Sequence, residues 1–164
     1  MIEKTFPLIE KQILSVLPLV ESLYRQLNQE AENLKQTPQA ELIGFIASNK
    51  NQLVEQMERV NRQLGELLAL EKLPHNREGM SLCLQRAEAA GFSTSEATRS
   101  WAQVVRLSAD CKALNERNGA CIDLLSRHAK RSLQIIKGKP QIGNTYGPDG
   151  IAKADYLGRP LISV

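Results

Sequence analysis

Aromatic residues are scarce in this chain, at 4% of 164 residues with a single Trp. A core must therefore be built from Leu, Ile, Val and Ala, and that composition suits helices better than sheets. Histidine is scarcer still: His75 and His128 are the only two. With three cysteines, Cys83, Cys111 and Cys121, in no CxxC pattern and no His–Cys cluster, the composition argues against a zinc site and against a disulfide framework. No run reaches the roughly 18 apolar residues that would span a bilayer, and Met1-Ile2-Glu3-Lys4 does not open a signal peptide. These absences point to a soluble cytoplasmic protein that does not insert into a membrane. A net charge of +3 is too mild to imply a nucleic-acid partner.

What is present is helical periodicity. Residues 138–164 hold five of the ten glycines and three of the seven prolines, which sets a boundary near Gly138. The expected organisation is a helical bundle over 1–137 and a flexible partner-binding tail over 138–164. A first helix is expected over Leu8–Gln36, with Val20, Leu23, Leu27 and Leu34 on one face. Pro18 should bend it or divide it in two. Thr37-Pro38 reads as the cap and first turn of a second helix, running to about Lys72. Ile46, Leu53, Val60 and Leu67 recur every seven residues along it, with Met57 and Leu64 between. So short a join makes the two helices an antiparallel hairpin. A short helix over Met80–Ala90 ends at Gly91, a suitable C-terminal cap. Ser93 and Glu96 form a capping box for a third long helix, to about Lys137.

The third helix carries a stripe of Trp101, Val104, Cys111, Ile122, Leu125, Ala129 and Ile136. Asn115 and Asn118 fall within it and are expected to face the bundle and set register, as buried asparagines do on such seams. Gly119 is expected to admit a neighbouring backbone. The fold class is therefore all-α: an elongated antiparallel hairpin packed on a third long helix. Charge is segregated. Residues 1–98 carry 10 basic and 13 acidic side chains, and residues 99–139 carry 9 and 3. The basic helix can lie against the acidic hairpin.

Chemistry-bearing constellations are few. Cys121 and His128 are seven apart on one helix, roughly 10 Å, well beyond hydrogen-bond reach. The glycines of residues 143–150 contain no GxxxxGK[ST] pattern and read as turns. Nothing in the sequence supports an enzyme or a cofactor. The tail is not a plain linker, since Tyr146, Ile151, Tyr156, Leu157 and Leu161 are spaced along it, and these residues are expected to bind a partner. Nucleic-acid binding through the basic third helix, as an adaptor or regulator, is the rival reading; no aromatics interleave with its basic residues. A coiled-coil homo-oligomer is a third.

Leu114-Asn115-Glu116-Arg117-Asn118-Gly119-Ala120-Cys121-Ile122, then Leu133-Gln134-Ile135-Ile136-Lys137-Gly138, then Tyr146-Gly147-Pro148-Asp149-Gly150, together form a pattern. The chain resembles the FlgN family of flagellar type III export chaperones, from about Leu19 to Gly150 and most strongly over 112–150. The resemblance implies a non-catalytic chaperone that holds the hook–filament junction proteins FlgK and FlgL, prevents their premature assembly, and delivers them to the export apparatus. It also implies contact with the export gate protein FlhA, with Tyr146 as the candidate residue. The segment before Pro18 and the connector Leu73–Phe92 are longer than the family's compact forms.

Overall fold

The structure is a computed structural model that describes residues 1–137. The expected tail, 138–164, lies outside the described residues. Four helices follow in order: α1 Ile2–Lys35, α2 Ala40–Leu70, α3 Arg77–Ala89 and α4 Ser95–Ile136. No strand occurs among the described residues, so the fold is all-α, as expected. The chain divides into two compact units. The first is Met1–Asp123, and the second begins at Leu124, within α4.

In the first unit α1 and α2 pair antiparallel. Phe6, Ile9 and Ile13 share a core with Leu64 and Leu68, while Val16, Val20 and Leu27 pack with Met57 and Val60. The short helix α3 adds Met80, Cys83, Leu84 and Ala87 to the first cluster. It returns the chain to the start of α1, so α4 runs parallel to α1. Ala97 joins Phe6 and Ile9, Val104 joins Val16, and Cys111 joins Val20. Every large side chain in these rows removes roughly 1.5–3 kcal/mol worth of apolar surface from water.

Helix α1 starts at Ile2 rather than Leu8, and of the two alternatives at Pro18 it excludes the division, since it passes through Pro18 as one helix. Pro7 and Pro18 both lie on the exposed side, and so does Leu14. Pro18 has no N–H to donate to the Leu14 carbonyl. The buried row Phe6, Ile9, Ile13, Val16, Val20 continues past the proline. Its burial exceeds the roughly 3 kcal/mol a helical proline costs.

Thr37 does not cap α2. The helix begins at Ala40 with Gln39 at the cap position, and the Gln39 backbone N–H donates to Asn33 Oδ1 at 3.3 Å. The turn takes residues 36–39 before the helix starts. The α2 seam is present but shallow. Ile46, Leu64 and Leu68 are buried, whereas Leu53, Met57, Val60 and Leu67 are half-buried.

Two helices end in the same hydrogen-bonded motif with different residues. At the end of α3, Gly91 takes φ +88°; its N–H donates to Glu88 O at 2.9 Å and that of Phe92 to Ala87 O at 3.0 Å. At the end of α2, Lys72 takes φ 56°; its N–H donates to Ala69 O at 3.0 Å and that of Leu73 to Leu68 O at 2.9 Å. Both are Schellman caps. Leu73 and Phe92 each turn back onto the first core cluster. Asn76 caps α3, accepting from the Gly79 N–H at 2.8 Å. Helix α4 starts at Ser95, which puts Thr94 rather than Ser93 in front of it and Ala97 at its third position, so Ser93 and Glu96 do not occupy the two positions of a capping box.

Candidate partner-binding surface

Three helices of the first unit meet at one buried carboxylate. Glu30 of α1 is 1% exposed. Lys50 of α2 donates to both its oxygens, at 2.8 and 2.9 Å. Asn118 of α4, also buried, donates from Nδ2 to Glu30 Oε2 at 3.0 Å and to Leu27 O at 2.9 Å. A buried charge is costly unless paired and hydrogen-bonded, and Glu30 is both. This pin joins one residue from each of the three helices. Glu30 and Lys50 had not been singled out from sequence. The available signal was two opposite charges at seam positions, Glu30 three after Leu27 and Lys50 four after Ile46.

The neighbouring sequence expectations separate. Asn115 is exposed, turned about 60° from Asn118 around α4. It stands at the rim of a groove and not inside the bundle. Gly119 is exposed too, and a Cβ built there meets nothing within 4 Å. No backbone approaches it, because the side of α4 turned toward α1 is that of Asn118.

The groove lies between α1, α2 and α4. Val16, Val20 and Leu27 form its floor, Val54 and Met57 one wall, and Val104 and Cys111 the other. It comprises cavities of about 310 and 440 Å³ that share Val20, Val54, Met57 and Ser108. The half-burial of the α2 seam has its cause here, since α4 leaves part of α2 uncovered.

Beyond Asn118 the expected stripe of α4 is not covered. Ile122 is half-buried, but Leu125, Ala129 and Ile136 are exposed. Helix α1 ends five residues after Glu30, whereas α4 continues eighteen beyond Asn118. Within the second unit Leu124, Leu125, Leu133, Ile135 and Ile136 are 40–79% exposed. No other stretch of the described residues leaves so many large aliphatic side chains in water. The tail candidates Tyr146, Ile151, Tyr156, Leu157 and Leu161 lie outside the described residues and follow directly in sequence.

The cysteines sit apart. Cys83 and Cys111 are buried and Cys121 is exposed. Burial, then the Glu71 carboxylate, pushes the Cys83 thiol up to about 11, partly opposed by Arg86. Burial, then Asp110, raises that of Cys111. Among the described residues no three potential ligands come together to hold a metal ion, and no helix is long and apolar enough to cross a membrane.

A helical scaffold pinned by one polar junction, with an open apolar groove and an uncovered apolar helix end, is built as a protein-binding module. The chain belongs to the FlgN family, whose model, described as FlgN protein, matches residues 9–154. It is thereby placed among the flagellar export chaperones. No curated protein and no solved structure matches the chain.

Proposed function

We propose that this chain is a cytoplasmic chaperone for the hook–filament junction proteins FlgK and FlgL, which keeps them from assembling early and hands them to the export gate protein FlhA. The observation that carries the reading is the row of exposed aliphatic side chains at Leu124, Leu125, Leu133, Ile135 and Ile136, leading into the apolar residues of the tail. A cargo segment that self-associates through an amphipathic helix is held unassembled when its apolar face is covered by another helix. The last turns of α4 offer that cover. Tyr146, Ile151, Tyr156, Leu157 and Leu161 add anchors, with Tyr146 reserved for the gate. Tyrosine buries much area with few rotors.

The test is titration of FlgK, FlgL and FlhA against the full chain and two double variants, Leu125→Ser/Leu133→Ser and Tyr146→Ala/Tyr156→Ala. At least tenfold weaker binding to cargo or gate, with an unchanged helical melt, is the expected result. A variant that melts earlier and still binds fully would place recognition on the helices of the first unit. Salt-steep binding to DNA or RNA without cargo binding would favour the nucleic-acid adaptor instead.

A further inference from the structure

The exposed end of α4 has a second property that cargo binding does not require. From Leu124 to Lys137 the sequence carries four basic residues and no acidic one. At 100° per residue, Leu124, Ile135, His128, Ser132, Leu125, Ile136, Ala129 and Leu133 fall in that order across roughly half the helix circumference, so this half is apolar except at His128 and Ser132. The other half takes Lys137, Lys130, Arg127 and Arg131. Lys137 and Lys130 border one edge of the apolar arc and Arg131 borders the other. Every residue of this stretch is exposed.

The apolar residues of this half, on both sides of His128 and Ser132, spread over more of the circumference than the narrow a/d seam of a two-helix contact. Helices that mate with a single partner helix also commonly mix acidic and basic residues along their edges. A helix mainly apolar on one half, and basic and polar without an acidic residue on the other, matches another surface, the headgroup layer of an anionic bilayer. There the apolar half sinks roughly 5–10 Å while lysine and arginine stems reach back along both edges to lipid phosphates. Such a helix lies in the plane of the membrane and does not cross it.

We propose that residues 124–137 of α4 form an interfacial helix that docks the cargo-free protein on anionic lipid membranes. The apolar face is the one offered above to cargo, so lipid and cargo compete for it. The lipid contact itself does not depend on the cargo reading.

The test is flotation of the full chain, without cargo, on vesicles of phosphatidylcholine alone and on vesicles containing about one third phosphatidylglycerol. Binding to the anionic vesicles only, weakened by added salt, is expected. The triple variant Lys130→Gln/Arg131→Gln/Lys137→Gln should bind anionic vesicles on the order of a hundredfold more weakly. Its helical melt should be unchanged, because these side chains are exposed, and it should retain FlgK and FlgL. Leu133→Ser/Ile136→Ser should lose lipid as well. Equal partition onto both vesicle types, or binding to neither by the folded protein, would overturn the proposal. Unaltered lipid binding by the triple variant would overturn it too. Loss of cargo binding with lipid binding intact would count against the chaperone reading and leave the membrane contact standing.

Discussion

Asn118 on α4 and Glu30 on α1 share a hydrogen bond of 3.0 Å although 88 residues separate them. The same carboxylate is held from α2 by Lys50, whose side chain is only 17% exposed. Removing either partner exposes the cost of the charge. Lys50→Met should destabilise by about 3–5 kcal/mol, because it strands a buried carboxylate. Asn118→Ala should cost about 1.5–3 kcal/mol. Urea unfolding of the two single variants checks both values.

Asn118→Leu probes register separately from strength. It should give a protein that still folds but slips between alignments or self-associates, as seams lacking their polar residue do. Sedimentation and amide NMR linewidths read this out. A variant with unchanged stability, assembly and binding would leave the pin without a role in register.

The two Schellman caps predict an asymmetry. Gly91 adopts its left-handed backbone without strain, whereas Lys72 carries a Cβ in the same region. Lys72→Gly should therefore raise stability by up to about 1 kcal/mol. Gly91→Ala should lower it by a similar amount. Thermal melts of both variants decide the sign.

Two glycines should respond in opposite directions to alanine. A Cβ at Gly119 meets open space, so Gly119→Ala should stabilise α4 by about 1 kcal/mol. A Cβ at Gly79 would lie 1.9 Å from the Pro74 carbonyl oxygen. That contact is with backbone, so Gly79→Ala should destabilise by about 1–3 kcal/mol, and the Asn76 cap bond should loosen with it.

Much of this arrangement was legible from spacing. Val20 and Leu27 on α1, the seven-residue recurrence of Ile46, Leu53, Val60 and Leu67, and Gly91 as a cap all mark features found in the structure. The misses have physical causes. The local cost of Pro18 allowed a division of α1, and the buried row on the opposite side of the helix keeps it whole. Gly119 was read for its permissiveness, yet the face that touches α1 is one residue away. Asn115 and Asn118 look alike in sequence, and only the packing of α1 selects Asn118. Glu30 and Lys50 sit on apolar seams with opposite signs. Neither sequence position reveals that the two meet, because pairing is set by the hairpin's register.

The thiols should react in two classes. At pH 8 a thiol reagent should modify Cys121 quickly, with Cys83 and Cys111 waiting for unfolding. The raised Cys83 value also has a stability consequence. The unfolded chain releases this proton near pH 9 and the folded chain only near 11. Stability contributed by the buried neutral thiol is therefore complete below about pH 9 and declines as pH rises toward 11. Unfolding midpoints measured across that range should fall, and Cys83→Ala should flatten the decline.

The burial pattern of α4 divides one continuous helix into two clocks. Amides around Val104 and Cys111 lie under packed side chains, and their hydrogens should exchange with solvent only when the whole core opens. Past Asn118 only Ile122 is half-buried and every other described residue is exposed. A helical segment of that length is marginal by itself in water, so its amides should exchange through local fraying long before the core's do. The boundary falls at the pin. Upstream of Glu30 and Asn118 the helix keeps the time of the fold, and downstream it keeps the time of whatever covers it.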